Sequence, residues 1–406
     1  MTTSMSLPTT APPAAGIAVR ATIDGREVEV ASGTTILEAA RACGVRIPTL
    51  CHHPDLPDAG VCRVCVVEVE GQRRLQPSCV FPITQAVEVH THGPRVAAAR
   101  RDIIDLLLSE HYGDCRTCVR NGSCELQDLA AEYGVDHYRF GQRTEPIYVR
   151  DDAGPSIVFD PDKCIQCLRC VRTCAELQGV RALGVSGRGA GVHVTTFAEL
   201  PLSSEFCINC GQCVNRCPTG ALTVVDATTR VRAELDDPAK HVVIQTAPAP
   251  RAALGEEFGL APGTPVTWQL TTALRELGFD KVFDTTFAAD LTIIEEGVEL
   301  IERLYHALVL GEPGVALPMF TSCSPGWVKF LEHAYPDYLP HLSTCKSPQQ
   351  MFGTLIKTWY ADRQGIDPAE VVSVALMPCA AKKFEASRPE MTDSGFADVD
   401  LVLTAR

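Results

Sequence analysis

The sequence lacks the features that would assign it to a membrane, secreted or nucleic-acid-binding class. No window of its 406 residues holds the ~18 uncharged apolar residues that a membrane-spanning helix needs. The first fifteen residues have neither a basic start nor an apolar run, so no secretory signal peptide is predicted. The formal net charge of −14 argues against a nucleic-acid partner. No G-x-G-x-x-G motif follows a predicted strand, so direct NAD binding is unsupported.

Cysteine, in contrast, is abundant, with nineteen residues, most of them in short clusters. A disulfide scaffold would space its cysteines more widely, whereas clustered thiols in a reducing compartment bind metal. The sequence therefore predicts a cytoplasmic, metal-loaded protein, long enough for about two to four domains.

The pattern along the chain predicts a multidomain protein of α+β and α/β units. Alternating residues at Ile17–Ile23 and Glu27–Val30 indicate a β-hairpin, and Thr35 with Glu38 forms a capping box that opens a short helix. Arg100–His111 carries one apolar stripe and is predicted to be helical. The predicted divisions are a disordered tail at 1–15, a ferredoxin-like β-grasp unit at 16–95, a cysteine-containing unit at 96–150, a ferredoxin-type unit with an internal repeat at 151–230, and an α/β unit at 240–406.

The last unit alternates apolar strands with helical stretches, which favours a largely parallel sheet. Four segments read as buried strands: His241–Gln245, Val315–Phe320, Val371–Met377 and Val399–Leu403. The sequence stops at Arg406 directly after a strand-like run, without a closing helix. We therefore expect this α/β unit to be incomplete.

The first cysteine set has the spacing C-x10-C-x2-C-x13-C and consists of Cys51, Cys62, Cys65 and Cys79. Four thiolates, two of them from a tight C-x2-C loop, can close around a [2Fe–2S] cluster. The spacing departs from the plant-type ferredoxin pattern and resembles that of the ferredoxin-like domain of complex I. A structural zinc site is the alternative. Cys43, on the predicted helix before this set, is interpreted as a buried free thiol.

The second set has the spacing H-x3-C-x2-C-x5-C and consists of His111, Cys115, Cys118 and Cys124. Because His111 ends a predicted helix, its imidazole can be presented to a cluster held by the following loop. The motif follows the ferredoxin-like unit at the distance seen in complex I and in NAD-linked hydrogenase subunits. It therefore indicates a histidine-ligated [4Fe–4S] cluster, with zinc as the alternative.

The third and fourth sets are two C-x2-C-x2-C-x3-C runs, the strongest signal in the sequence. In such pairs the fourth cysteine of each run ligates the cluster of the other run. One [4Fe–4S] cluster would take Cys164, Cys167, Cys170 and Cys217, and the other would take Cys174, Cys207, Cys210 and Cys213. The four sets leave Cys43, Cys323, Cys345 and Cys379 unassigned.

Three segments of the last unit resemble the catalytic domain of [FeFe]-hydrogenases. They are QTAP at 245–248, TSCSPGW at 321–327 and MPCAAKKFEA at 377–386. The family usually reads TSCCPGW and MPCxxKKxE at the last two. The order of the cluster motifs is similar to that of the large modular members, so the resemblance covers nearly the whole chain. It implies an H-cluster, a [4Fe–4S] cluster joined to a diiron subcluster, and the interconversion of protons and H₂. On their own, Cys323 and Cys379 would be interpreted as core thiols.

The resemblance also implies a role for individual residues of this unit. Cys379 would ligate the [4Fe–4S] half of the H-cluster, and Lys382 would donate to a cyanide on the diiron half. Cys323 matches the proton-relay cysteine of the family. The pocket would be lined by Pro248, Gln349 and Met377, and the relay continued by Glu296, Glu299, Arg303 and Ser343. Without the resemblance, Glu296 and Glu299 would be assigned to a solvated helix face.

Two departures from the family affect the expected H-cluster. Ser324 stands where the family has a cluster-ligating cysteine, and a hydroxyl is a harder ligand for iron than a thiolate. The third family motif, with two further cysteine ligands, is absent from the sequence. We therefore expect a longer product, a second chain that supplies the missing ligands, or a protein without an H-cluster.

The leading hypothesis is an [FeFe]-hydrogenase that exchanges electrons with a ferredoxin or with a flavoprotein subunit of the NADH-dehydrogenase type. The alternatives are an electron-transfer subunit of an NAD-linked hydrogenase or formate dehydrogenase, and a hydrogenase-like sensor without turnover. Residues up to about Asp226 fit the second hypothesis equally well.

Overall fold

The computed structural model describes residues 18–136, 139–204 and 206–405. The tail predicted at 1–15 lies outside these residues. Across the described ranges, no helix has both the length and the apolar character needed to cross a membrane.

The first unit is a five-stranded sheet covered by one helix. Its strands pair in the order β2-β1-β5-β3-β4, with β1 and β5 parallel and the other pairs antiparallel. The predicted capping box is present, since the Thr35 hydroxyl accepts from Glu38 N–H and the Glu38 carboxylate accepts from Thr35 N–H. The elements are β1 (Ala18–Ile23), β2 (Arg26–Ala31), α1 (Ile36–Ala42), β3 (Val66–Val69), β4 (Gln76–Pro77) and β5 (Val87–His90).

The second unit consists of helices α2 (Pro94–Glu110) and α3 (Glu125–Glu132) and the loop between them. Helix α2 begins six residues before the predicted start, because Pro94 occupies the first turn, where its missing N–H costs nothing. It ends at Glu110, with His111 as its C-terminal cap, one residue before the predicted end. The buried Ile104 and Leu126 pack with residues of the first cysteine set, so the first two units share a core.

The third unit has the predicted internal repeat. Strands β6 (Ile157–Phe159) and β9 (Leu222–Val224) pair, and helices α4 (Arg169–Arg172) and α5 (Gln212–Arg216) each follow a cysteine loop. In both loops the same two positions have positive φ, namely Gln166 and Leu168 in one and Asn209 and Gly211 in the other. Between the halves lie β7 (Gly184–Ser186) and β8 (His193–Thr195).

The fourth unit is an α/β layer around a parallel four-stranded sheet in the order β11-β10-β12-β13. Every residue of the central strand β12 is buried, as expected for a strand covered on both faces. The elements are α6 (Thr228–Asp236), β10 (His241–Thr246), α7 (Pro248–Ala253), α8 (Thr267–Glu276), β11 (Lys281–Asp284), α9 (Thr286–Leu304), α10 (Pro325–Ala334), α11 (Pro348–Leu355), α12 (Ala361–Gln364), β12 (Val371–Met377), α13 (Ala381–Ala386) and β13 (Leu401–Thr404).

The predicted strand at Val315–Phe320 is wrong. Pro318 has no N–H to donate, and the Ala316 and Pro318 carbonyls accept from the side chains of Arg303 and His341 instead of from a strand. Only Phe320 forms an isolated bridge, to Leu342. The fourth sheet strand is instead Lys281–Asp284, which the apolar pattern did not indicate.

Buried arginines connect the first three units. Arg172 donates to the backbone carbonyls of Cys51 and Pro57 in the first unit. Arg169 forms a two-bond ion pair with Glu125 at the start of α3, with N–O distances of 2.7 and 2.9 Å. Both arginines lie in the first cysteine run of the third unit, so this run also organises the interfaces around it.

Gly353 of α11 gives a steric test of the fourth unit. A Cβ at this position would lie 2.2 Å from the carbonyl oxygen of Asp398, so Gly353→Ala should destabilise the protein by about 2 kcal/mol through forced backbone movement. The control is Gly297→Ala in α9, where nothing lies within 4 Å and about 0.5–1 kcal/mol of stabilisation is expected. Urea unfolding followed by far-UV circular dichroism measures both. Similar midpoints for the two variants would contradict the packing described.

Candidate metal centres

The structure brings the first cysteine set together in a buried site. Cys51, Cys62, Cys65 and Cys79 are all buried, and the Cys65 and Cys79 sulfurs are 3.4 Å apart. Hydrogen bonds from Cys62 and Cys79 lower the pKa of Cys51, and a hydrogen bond from Cys79 lowers the pKa of Cys65. The same hydrogen bonds raise the pKa of Cys62 and Cys79, so thiolate character, the ligand form for iron and zinc, is concentrated on Cys51 and Cys65.

The second set lines one small pocket at the end of α2. His111, Cys115, Cys118 and Cys124 share it with Gly220 of the third unit. The Nδ1 atom of His111 is buried and has no hydrogen-bond partner among the described residues. Burial lowers the pKa of His111, so its imidazole is neutral near pH 7 and has a lone pair for a metal.

Gly220 is a feature of this pocket that sequence reasoning missed. A Cβ at this position would lie 2.8 Å from the Cys118 sulfur. The glycine follows the last cysteine run closely, at Cys217-Pro218-Thr219-Gly220, and its lack of a side chain admits a sulfur from the neighbouring unit. No local pattern could have indicated this, because the contact joins two units.

The two ferredoxin-type sets line separate cavities with the exchange of fourth cysteines that the spacing predicts. The grouping in the cavities is Cys164, Cys167, Cys170 and Cys217 in one, and Cys174, Cys207, Cys210 and Cys213 in the other. Burial raises the pKa of Cys164 and Cys167 to about 12 and that of Cys207 to about 11. A metal bound in these cavities would therefore displace thiol protons, which couples its binding to pH.

The cleft between the third and fourth units brings Cys379 close to the second of these cavities. Cys210 and Cys379 both line it. A Cβ at Gly211 would lie 3.0 Å from the Cβ of Ala380, the residue after Cys379. The two cysteine loops are thus in contact at their glycine and alanine.

Lys382 and Gln349 belong to one buried polar network in the fourth unit. Lys382 Nζ donates to the Cys323 carbonyl and to Glu385, each at 2.9 Å. Ser347 and Gln349 donate to the same Glu385 carboxylate, at 2.9 and 3.2 Å. Glu385 lies within the MPCAAKKFEA segment and is a central residue to which the sequence assigned no role. The Oε1 atom of Gln349 is buried without a partner among the described residues.

The predicted relay residues come together only in part. Glu299 accepts from Ser343 at 2.6 Å and from Arg303 at 2.6 and 3.1 Å. Burial opposes these contacts, but the Ser343, Arg303 and Thr344 hydrogen bonds prevail and lower the pKa of Glu299. Glu296 makes no hydrogen bond or ion pair within the described ranges, and its Oε1 is buried.

The remaining predicted residues lie around the carboxyl ends of β10 and β12. Met377 is buried at the end of β12, and Pro248 is exposed at the start of α7. Cys323 is exposed, and Ser324 precedes α10. Since Val315–Phe320 is not a strand, Cys323 does not follow a sheet strand as predicted. Its loop is held instead by Ser322, whose hydroxyl donates to the Cys345 carbonyl at 2.6 Å.

Four segments of the chain match known protein families. Residues 17–94 match a 2Fe-2S iron-sulfur cluster binding domain, and residues 100–139 match the NADH-ubiquinone oxidoreductase-G iron-sulfur binding region. Residues 154–223 match the ferredoxin-like domain of NADH-quinone oxidoreductase subunit 3. Residues 240–406 match the C-terminal domain of the iron only hydrogenase large subunit.

The chain is also similar to individual hydrogenases. It is 50% identical over 391 residues to an NADP-reducing hydrogenase subunit of Solidesulfovibrio fructosivorans, covering 95% of this chain and 66% of that protein. It is 38% identical over 386 residues to iron hydrogenase 1 of Clostridium pasteurianum, with the same coverage. A solved apo [FeFe]-hydrogenase variant from Chlamydomonas reinhardtii is 46% identical, covering 45% of this chain and 46% of that chain with a TM-score of 0.41. The chain thus spans just under two thirds of both curated relatives.

The Glu299–Arg303 pair generates a prediction about stability. Arg303→Met removes the guanidinium from a largely buried carboxylate, so the pKa of Glu299 should rise and the protein should lose about 2 kcal/mol at pH 7. Adding Glu299→Gln should recover part of this loss, because no unpaired charge then remains. Urea unfolding of the two single variants and the double variant measures the coupling. The exposed Glu302→Gln is the control, and strict additivity would show that the pair is not coupled.

Proposed function

The chain belongs to the [FeFe]-hydrogenase large-subunit family, and from that premise we propose that it serves the interconversion of protons and H₂. In this proposal it carries electrons through a row of clusters between a redox partner and the catalytic unit. The observation that carries the proposal is the grouping of the predicted ligands around separate sites, together with a cleft shared by Cys210 and Cys379.

The donor sets fit one [2Fe–2S] and three [4Fe–4S] clusters. The described residues facing each site supply thiols, with one neutral imidazole in the second set. The unpartnered Nδ1 of His111 and the space left by Gly220 beside the Cys118 sulfur support a bulky group in that pocket. When bound, such clusters supply one-electron transfer. The protein holds them in loops that also connect its units.

The described residues do not complete the donor set for an H-cluster. Cys379 is a suitable ligand, but Ser324 offers a hydroxyl, which is a harder ligand for iron than a thiolate. If Cys323 served as a ligand instead, it could no longer take part in the proton relay. We propose that further polypeptide supplies the remaining thiolates when the protein is active.

Helix α9 provides a surface for such polypeptide to cover. Four large apolar residues along α9 and the helical turn that continues it at Tyr305–Val309 are each more than 60% exposed: Ile293, Ile294, Ile301 and Leu308. An apolar strip of this kind is unusual on a surface that faces only water. The same helix carries Glu299 and Arg303, so polypeptide packed there would also exclude water from the proposed relay.

The relay proposed for this chain uses groups that can hold or pass a proton. Glu299, ionised and held by Arg303 and Ser343, is an acceptor whose geometry is fixed before a proton arrives. The Cys345 thiol points to the same carboxylate at 3.9 Å. Cys323 is assigned the position of the proton-relay cysteine, and Lys382 holds its loop through the Cys323 carbonyl.

Electrons are proposed to come from a ferredoxin or from a flavoprotein subunit of the NADH-dehydrogenase type. The complex I-like matches at residues 17–94, 100–139 and 154–223 support a partner of this kind. The alternative is a subunit that only transfers electrons, and Ser324 is the residue that favours it. A hydrogenase-like sensor is favoured by the same residue.

Iron content and infrared spectroscopy test the proposed function. The anaerobically purified chain should hold about 14 irons in its accessory clusters. Carbonyl and cyanide bands should appear once the remaining ligands and the diiron group are supplied. About 14 irons without such bands would favour the electron-transfer alternative, and a zinc-loaded protein would refute both readings. Cys379→Ala should abolish the bands while leaving the ferredoxin-type EPR signals unchanged.

Gly220→Ala tests the histidine-containing site separately. The added methyl group displaces the Cys118 sulfur, so iron should fall from about 14 to about 10 per chain, with one EPR signal lost. Gly184→Ala is the matched control, since nothing lies within 4 Å of its Cβ position. Full iron content in both variants would show that Cys118 is not a ligand.

A further inference from the structure

Helix α10 places a stripe of three residues against the loop that carries Cys207 and Cys210. A Cβ at Gly326 would lie 3.6 Å from the Ile208 carbonyl oxygen and 3.9 Å from Cys210 Cβ. Two turns further along the helix, the ring of His333 packs edge-on against Phe206 with centroids 5.3 Å apart. Lys329 lies between these contacts at the same helical face, three residues after Gly326.

Lys329 is a buried cation without an acidic partner. The residue is 7% exposed, and no acidic side chain is paired with it among the described residues. Its Nζ atom makes a cation–π contact with the Phe384 ring, 4.5 Å from the ring centroid. Burying a lysine in this way is costly unless an opposite charge compensates.

The carboxylate nearest along the helix is already engaged. Glu332 accepts two hydrogen bonds from Arg388, at 2.6 and 3.2 Å, so it is held by another cation. Burial lowers the pKa of Lys329, against the opposing attraction of Cys207 and Glu332. The helix face that carries Lys329 packs against the Cys207–Cys210 loop, since a Cβ at Gly326 would lie 3.9 Å from Cys210 Cβ. That loop is therefore the other side from which negative charge can compensate the ammonium group.

We propose that Lys329 is the electrostatic partner of the cluster held by Cys174, Cys207, Cys210 and Cys213, and that it raises the reduction potential of that cluster. The inference rests on the cluster assignment made under the proposed function. Four thiolates make an iron–sulfur assembly anionic, and reduction adds one further negative charge. A fixed neighbouring cation favours the reduced state, and net charge and exposure are known determinants of cluster potential. The catalytic unit would thus tune the last cluster before Cys379.

The test is an EPR-monitored redox titration of the whole chain carrying Lys329→Met. The neutral side chain should lower the reduction potential of this one cluster by about 59 mV. For one electron, this shift corresponds to a tenfold change in the reduction equilibrium constant. Lys329→Arg, which retains the charge, should restore a potential close to that of the wild type. Lys281→Met removes an exposed lysine on β11 and should shift nothing. Cys207→Ser identifies the signal of the cluster by altering it.

An unchanged potential in Lys329→Met with the cluster present would overturn the inference. If Lys329→Met loses the cluster, Lys329→Gln is titrated as a second neutral variant. Loss of the cluster in both neutral variants with retention in Lys329→Arg would support the pairing, and loss in all three would overturn it. A wild-type chain without this EPR signal would refute the cluster assignment itself, which is a separate outcome.

Discussion

The enclosure of sulfur ligands in the protein interior is the constraint on which the rest of this structure depends. Burial raises the pKa of Cys164, Cys167 and Cys207, so the charged thiolate form is energetically unfavourable in these cavities without a compensating charge. Metal binding supplies the compensating charge and thereby contributes to folding. The cysteines also form part of the hydrophobic core of the third unit, in contact with residues such as Phe159 and Leu222. Metal loading and packing are therefore coupled in this unit.

Short side chains and buried cations set how closely the cysteine loops approach one another. Gly211 lets one loop contact Ala380, and Gly220 leaves room for the Cys118 sulfur, so both glycines act across unit boundaries. Arg169 and Arg172 fix the other boundaries by binding Glu125 and the Cys51 carbonyl. Rigid, close spacing of this kind suits electron transfer, since each additional side chain between the loops would lengthen the path.

Sequence patterns were sufficient to predict features formed within one segment, and insufficient to predict contacts between units. Regular cysteine spacing predicted the grouping of fourth cysteines, and apolar runs predicted β10 and β12 almost to the residue. The Val315–Phe320 prediction failed because apolar content outweighed Pro318, whose missing N–H excludes a ladder bond. Lys329 and Gly220 could not be recognised, because their partners are distant in sequence.

The polar network around Glu385 separates the two main readings of the chain. An electron-transfer subunit requires the cysteine loops and their spacing but has no use for a buried lysine–glutamate pair joined to Ser347 and Gln349. Such a network is costly unless every member is satisfied. Here Gln349 Oε1 and both side-chain polar atoms of Gln350 are buried without partners within the described ranges. Unmet buried polar atoms, whether donors or acceptors, cost about 1–3 kcal/mol each. Gln349 donates to the Lys382 carbonyl, three residues after Cys379, so its unpaired oxygen lies next to the MPCAAKKFEA segment and favours the hydrogenase proposal over electron transfer alone.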